Sequence, residues 1–241
     1  MRSLIAIGEK AALFAEALSG YPEYTSYCFR HGRKEDCFDV PVFANSERYD
    51  EPLDGLDEFL KGCCGQITAI VSGDEAINLT ALQILEVVKD KNIEIIFFKP
   101  DEKLLGATMK QINNLTYNVL QEYTRSGLFE QMFIFDLGAV DQVVGATALQ
   151  SFEKTRMEFL AGHYHTLNWL RNSEAVAGTD VEHRPINCLA SIGVTDLELS
   201  QIKKLNKLDF VRERVYYYGI PEKKVEEDAD LRTKILEGYK K

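Results

Sequence analysis

The chain has 241 residues, with 28 Lys and Arg against 38 Asp and Glu, a formal net charge of −10. A chain of this length can form one large domain, or a domain with a small appendage, that buries roughly 70 to 75% of its unfolded surface. The negative charge opposes nonspecific attraction to nucleic acid and to anionic lipid, so neither is an expected partner.

No apolar run approaches the roughly 20 residues that a bilayer span requires. Charged residues follow the first predicted strand at once, so we expect no secretory signal, no membrane segment and a cytoplasmic protein. The five cysteines are an odd number, and the adjacent Cys63 and Cys64 cannot readily pair with each other. We therefore expect reduced thiols, and without CxxC or HxxxH spacing we predict no metal site.

Strands and helices alternate over the first 150 residues. Predicted strands cover residues 3–8, 24–29, 40–43, 66–71, 93–98 and 131–135. Predicted helices cover residues 10–18, 53–61, 75–90, 105–123 and 141–148. The strands at 66–71 and 93–98 are near-continuous apolar runs, typical of strands that helices cover on both faces. This order predicts a doubly wound, mainly parallel α/β sheet, in which ligands bind at the carboxyl ends of the strands.

A longer helix is predicted for residues 151–171, about 30 Å at 1.5 Å per residue. The composition loosens behind it, and we place a domain boundary there. Residues 1–172 are predicted to form a Rossmann-like domain that ends in the long helix, and residues 173–241 a small C-terminal α+β subdomain. The predicted order in this subdomain is a strand at 186–194, a helix at 197–208, a strand at 211–220 and a helix from 228 onward.

The loop after the strand at 66–71 is the first place to seek a ligand. It reads Ser72-Gly73-Asp74-Glu75, with one glycine and two carboxylates. Like charges a few ångström from a phosphate are worth about 1 to 4 kcal/mol each at surface-like dielectric, which disfavours phosphate binding. The same residues also form a capping box, in which Ser72 and Glu75 satisfy N–H groups at the start of the following helix.

The order of these elements resembles the tubulin and FtsZ superfamily. The first strand with its loop at Gly8, the strand and glycine loop at 68–73, the strand at 134–136 and the long helix at 151–171 carry the resemblance. It implies that backbone N–H groups at Gly8 and in the loop of Ser72, Gly73, Asp74 and Glu75 would surround nucleotide phosphates.

Two residues of the long helix also match positions of that family. Phe152 stands where the family stacks an aromatic ring on guanine. Arg156 follows one helical turn later, where an acidic or amide group would read the base. Glu174, Asp180 and Glu182 follow the long helix, where the family has acidic residues for hydrolysis, but their spacing matches no family motif closely.

These departures predict a tubulin/FtsZ-like structural or interaction protein with a lost or altered GTP site. We expect it to act through self-assembly or partner binding, with a protein partner or a homo-oligomer. No catalytic residue is identified, no cofactor is expected, and GTP and Mg²⁺ are disfavoured.

Two enzymatic alternatives stay open. A small-molecule or metal-dependent enzyme on a Rossmann-like sheet would use Asp74, Glu75, Asp136 and Asp141 at the strand ends as acid/base or metal groups. A divergent GTPase would keep nucleotide turnover at the altered loops.

The predicted subdomain carries a basic cluster. Its members are Lys203, Lys204, Lys207, Arg212 and Arg214. Charge runs of this kind are usually solvated faces, and the alternative is an interface with the mostly acidic residues 222–230 of another copy. On the predicted strand at 211–220, alternate tyrosines of residues 216–218 would face opposite sides, so at least one ring is expected near the surface.

Overall fold

In the computed structural model, which describes residues 1–32, 35–42, 51–173, 188–195 and 202–238, one large sheet of parallel strands organises the chain. Its strands are β1 (Arg2–Ile7), β2 (Tyr24–Arg30), β3 (Cys37–Asp39), β4 (Gln66–Ser72), β5 (Ile93–Lys99), β6 (Gln131–Asp136) and β7 (Cys188–Ala190). Their order across the sheet is β3-β2-β1-β4-β5-β6-β7. Strands β8 (Gly193–Thr195) and β9 (Ile202–Lys204) form a separate antiparallel pair.

Helices cover both faces of the large sheet. They are α1 (Glu9–Leu18), α2 (Leu56–Leu60), α3 (Ala81–Glu86), α4 (Ala107–Ser126), α5 (Leu137–Val144) and α6 (Phe152–Arg171), with α7 (Glu222–Glu227) and α8 (Leu231–Gly238) near the C-terminus. Residues of α1, α5 and α6 share one apolar core with one face of the sheet, and residues of α2, α3 and α4 share the other. The predicted doubly wound parallel sheet with a long helix is therefore confirmed.

Several predicted elements are corrected. The helix predicted for residues 75–90 is a 3₁₀ turn, Ala76–Thr80, followed by the short α3. The helix predicted at 141–148 begins earlier, because the Asp136 carboxylate accepts the Ala139 N–H and caps α5. The short strand expected at 40–43 lies at Cys37–Asp39 instead, and Phe43 is outside the described residues.

The C-terminal part departs most from the prediction. The strand expected at 186–194 is two strands, β7 and β8, and residues 202–204 of the expected helix form β9. Residues 211–220 form no strand, although their β-branched and aromatic residues favour one. The helix expected from residue 228 onward is α8, which begins at Leu231, and α7 precedes it without having been predicted.

The division at residues 172 and 173 stays a prediction. Strand β7 follows that division, yet it pairs in parallel with β6 of the large sheet. Glu174, Asp180 and Glu182 lie outside the described residues. No helix in the described ranges is both long and apolar enough to cross a membrane.

A buried carboxylate joins the amino ends of three strands to α6. The Glu94 side chain on β5 is 1% exposed and accepts hydrogen bonds from Arg2 Nη1 at 2.8 Å and from the Tyr164 hydroxyl at 2.6 Å. Arg171, at the end of α6, approaches its other oxygen at 3.5 Å. Arg2 Nη1 also donates to Thr68 on β4 at 3.0 Å. Because these groups are buried together, the network fixes how α6 crosses the sheet.

Glu94→Ala should destabilise the fold by about 3 to 5 kcal/mol, because it leaves Arg2 and Arg171 without their buried counter-charge. Urea unfolding measures this change. Glu86→Ala is the matched control, since Glu86 pairs with Lys89 on the surface and its loss should cost less than ~0.5 kcal/mol. Equal losses in the two variants would contradict a structural role for the buried network.

Candidate functional site

The carboxyl ends of the central strands lie at one edge of the sheet. In the paired strands Ile7 lies beside Val71, Ser72 beside Phe98, and Lys99 beside Asp136. The loops that follow β1, β4, β5 and β6 therefore share this edge, as expected for ligand loops of a parallel sheet. The structure brings Gly8, which precedes α1, together with the loop after β4.

Glu75 caps α1 and not the helical segment that follows it in the sequence. Its Oε2 accepts the Glu9 N–H at 2.7 Å, and its Oε1 accepts the Lys10 N–H at 3.1 Å. A side chain 65 residues further along the chain thus satisfies two N–H groups that the first turn of a helix leaves without an intrahelical partner. The predicted capping box is wrong, because the Ser72 hydroxyl donates to Asp74 and the Glu75 carboxylate accepts the N–H groups of α1.

Gly8 has a conformation that this contact depends on. Its φ of 97° and ψ of 177° belong to a region that is essentially restricted to glycine. A Cβ at Gly8 would overlap Glu75 Oε2. The space that the missing Cβ of Gly8 leaves is therefore filled by the Glu75 carboxylate.

Asp74 belongs to an ion pair that the sequence did not reveal. Lys10 Nζ lies 2.7 Å from Asp74 Oδ2, and the Ser72 hydroxyl donates to Asp74 Oδ1 at 2.6 Å. Burial acts to raise the pKa of Asp74, but the hydrogen bonds from Lys10 and Ser72 outweigh it and leave this pKa below its usual value. The Asp74 charge is thus balanced by Lys10. Of the two carboxylates that were expected to repel a phosphate at this loop, only Glu75 lacks a cationic side chain as its hydrogen-bond partner.

Burial is also the largest influence on Glu75. It raises the pKa of the Glu75 carboxyl, although the N–H groups of Lys10 and Glu9 and the Lys10 charge act in the opposite direction. The carboxylate is held in a partly desolvated position where its ionised form is less favoured than in water.

Gly73 is covered by a side chain from α4. Its N–H donates to the Phe98 carbonyl at 3.0 Å, and a Cβ at Gly73 would overlap Asn113 Oδ1. Asn78 holds the same loop from the other direction, because its side-chain amide donates to the carbonyls of Ser72 and Glu75. The loop is therefore packed on two sides by protein groups.

Phe152 and Arg156 form a pair of their own at the start of α6. The Arg156 guanidinium lies 5.0 Å from the centre of the Phe152 ring. The same guanidinium pairs with Asp141 on α5 at 3.2 Å and with Glu153 at 2.6 Å. Arg156 thus links α6 to α5 and lies over the Phe152 ring. Binding of a base by either residue stays a prediction.

The four carboxylates of the enzyme alternative each have a separate structural partner. Glu75 caps α1, Asp74 pairs with Lys10, Asp136 caps α5, and Asp141 pairs with Arg156. Within the described residues, no group of three or more His, Cys, Asp or Glu side chains could hold a metal ion. Among the described residues these four carboxylates therefore form no metal cluster of three or more ligands, and their use as acid/base groups stays a prediction.

Sequence reasoning missed three residues of this edge, Lys10, Asn78 and Asn113. Asn78 and Asn113 are buried polar side chains on otherwise apolar helical faces, and that departure from the pattern was the available signal. Lys10 follows Gly8 directly in the sequence, but its partner Asp74 is known only once β1 and β4 are neighbours.

The fold is tubulin/FtsZ-like. The chain is similar to TubZ of Bacillus thuringiensis serovar israelensis in a GTPγS-form protofilament, with a TM-score of 0.56 and 11% identity over 69% of this chain and 56% of that one. It is similar to TubZ-Bt in a helical model of a four-stranded filament, with a TM-score of 0.57 and 11% identity over 76% and 58%.

A third similar structure is the empty FtsZ dimer of M. jannaschii, with a TM-score of 0.54 and 11% identity over 74% of this chain and 57% of that one. The chain therefore spans less than two thirds of the length of each of these structures. No protein-family model and no curated protein sequence matches the chain.

Gly8→Ala should destabilise the protein by about 1 to 3 kcal/mol for the backbone conformation alone, and by more because the new Cβ meets Glu75. Gly32→Ala is the control, since Gly32 also has a positive φ but no atom near an added Cβ. Denaturant unfolding of both variants, and of Gly8→Ala with Glu75→Ala, measures the two contributions. If Gly8→Ala/Glu75→Ala is no more stable than Gly8→Ala, the Glu75 carboxylate does not fill the space beside Gly8.

The raised pKa of Glu75 predicts a pH dependence. The folded protein binds a proton at Glu75 more tightly than the unfolded chain, whose value is near 4.5. The contribution of Glu75 to the free energy of unfolding should therefore rise as pH falls through the folded pKa and level off below the unfolded value. The contribution of Asp74 to the free energy of unfolding depends on pH in the opposite direction. It is lost as pH falls from the unfolded value of 3.8 through the lowered pKa of the folded protein.

Urea unfolding of the wild type and of Glu75→Gln between pH 7 and 4.5 separates these effects, because other carboxylates contribute equally to both proteins. The wild type should gain stability relative to the variant as pH falls. A difference that is constant or that shrinks over this range would contradict the assignment.

Proposed function

We propose that this chain is a tubulin/FtsZ-like structural or interaction protein that acts through contacts with other protein molecules and does not turn over GTP. The position of Glu75 carries the proposal. A helix N-terminus at the carboxyl edge of a parallel sheet is a favourable site for a phosphate, because its N–H groups and dipole attract anions. At α1 the Glu75 carboxylate accepts two of those N–H groups.

A nucleotide phosphate would have to displace this carboxylate. Hydrogen bonds to charged groups contribute about 1.5 to 3 kcal/mol each, and the competing carboxylate belongs to the same molecule. Its negative charge would also remain beside the phosphate after displacement. The chain therefore fills its own anion site.

The two glycines of this edge support the same conclusion. Glycine allows close approach of a phosphate only if its open side faces the ligand. The open side of Gly8 is covered by Glu75, and that of Gly73 by Asn113. The Arg156 guanidinium over Phe152 leaves less of that ring for stacking on a base.

The proposed contact role is consistent with the solved structures of similar fold, which include filaments of TubZ and a dimer of FtsZ. Whether this chain contacts its own copies or another protein is part of the proposal and is tested below. A divergent GTPase is the competing hypothesis, since one of those TubZ structures is a GTPγS form.

GTP with Mg²⁺ should not raise the thermal unfolding temperature of the wild type, because Glu75 occupies the phosphate position. A ligand at a hundredfold excess over its Kd stabilises a protein by about 2.7 kcal/mol, which a thermal-shift measurement detects readily. Sedimentation velocity over a concentration series should give the same distribution with and without GTP.

Glu75→Ala is the informative variant. It vacates the N-terminus of α1, so inorganic phosphate should stabilise it more than the wild type. Glu58→Ala removes an exposed glutamate from α2 and serves as the control. Stabilisation of the wild type by GTP, or release of phosphate from GTP, would support the GTPase and overturn the proposal.

A further inference from the structure

A large groove runs between α6 and the segment that follows β9. Its volume is about 1160 Å³. The α6 side presents Phe159, Leu167 and Leu170, and the opposite side presents Leu208 and Val215. These side chains are partly exposed, so the groove has an apolar lining that is open to solvent.

The volume of the groove exceeds that of most small-molecule sites, which span about 300 to 1000 Å³. Two more apolar residues of the lining are exposed. Phe210 is 82% exposed and Val211 is 39% exposed. An apolar surface of this extent on a folded protein marks an interaction site more often than it marks a free surface.

The segment beside the groove is basic. Within residues 202–215, five exposed cations face only two carboxylates, Asp209 and Glu213. The cations are Lys203, Lys204, Lys207, Arg212 and Arg214. None of them forms an ion pair with a residue in the ranges that the structure describes. In a chain of net charge −10, this is a local surface that attracts carboxylates.

Three of these cations, Lys204, Arg212 and Arg214, line the groove itself. Four carboxylates also line it, but Glu94 and Glu158 pair with cations of the chain and Glu130 accepts a hydrogen bond from Gln66, which leaves Glu213. We propose that the groove binds an acidic, amphipathic segment of a partner protein, whose apolar side chains enter the groove and whose carboxylates meet these three cations. An amphipathic helix in an apolar groove is a recurring mode of peptide recognition.

The lining favours a peptide over a nucleic acid. Leu167, Leu170 and Leu208 offer no donor to a phosphate, whereas they suit the apolar face of a helix. The net charge of the whole chain would repel a polyanion beyond the basic segment.

This inference rests on the proposed function, since it names the partner chemistry of the interaction protein. Its test uses no nucleotide, so either proposal can fail alone.

A random 16-residue peptide library displayed on phage is the probe, with the full chain as bait. Enriched sequences should be acidic and carry apolar residues at the i, i+3, i+4 and i+7 spacing of one helix face. A labelled peptide from this selection should bind at least about tenfold more weakly to the charge-reversed variant Lys204→Glu/Arg212→Glu/Arg214→Glu, and added salt should weaken its binding to the wild type.

Phe210→Ala/Val211→Ala tests the apolar part. Both side chains are exposed, so the fold should persist while peptide binding weakens. The matched control for the charge reversal is Lys91→Glu/Lys103→Glu/Lys110→Glu, because it reverses three exposed cations that do not line the groove and should leave binding unchanged. Circular dichroism and thermal unfolding confirm that each variant is folded.

Three results would overturn the proposal. They are a selection that enriches no acidic amphipathic sequence, equal binding of the selected peptide by the charge-reversed variant, and displacement of the peptide by a labelled single-stranded oligonucleotide that itself binds through the same three cations.

Discussion

The fold depends on a carboxylate, Glu94, the second residue of the largely apolar strand β5, which is neutralised at the amino edge of the sheet. Taking such a charge out of water is costly, and the structure offsets this cost by placing Arg2, Arg171 and the Tyr164 hydroxyl around it. Because these partners come from the first strand and from α6, the network specifies how the long helix crosses the sheet. Apolar packing alone would allow neighbouring registers of α6.

At the carboxyl edge of the sheet, acidic side chains are also compensated by groups of the same chain. Glu75 and Asp74 enter a region of helix N-termini and strand ends, and both are satisfied by groups from the first α/β unit, the N–H groups of Glu9 and Lys10 and the Lys10 ammonium. Both edges thus hold acidic side chains that the chain itself neutralises. In the proposed function, the Glu75 carboxylate takes the N–H groups that a phosphate would need at the carboxyl edge.

The groove beside α6 is a second surface at which the chain could meet another molecule. Its lining includes neither Gly8 nor Glu75, and it combines apolar side chains with cations that form no ion pair among the described residues. In the proposed function, the tubulin/FtsZ-like fold serves as a scaffold, with recognition placed on the long helix and on the segment after β9.

The sequence by itself determined the parallel sheet, the alternation of strands and helices and the long α6. These elements depend on apolar periodicity within a single segment, as in residues 66–71 and 93–98, and in these segments the packed structure agrees with the local pattern. It also located the edge at which Gly8 and Ser72 to Glu75 meet, because in a parallel sheet that edge follows from strand direction.

Tertiary structure decided what those residues do. The partners of Glu75, Asp74 and Glu94 lie some 64 to 92 residues away in the chain, and no local pattern encodes them. It also decided that residues 211–220 form no strand, although their side chains favour one. Hydrogen bonds and ion pairs between distant segments form only after the sheet has brought those segments together, so they follow from the packed structure and cannot be read from composition or spacing.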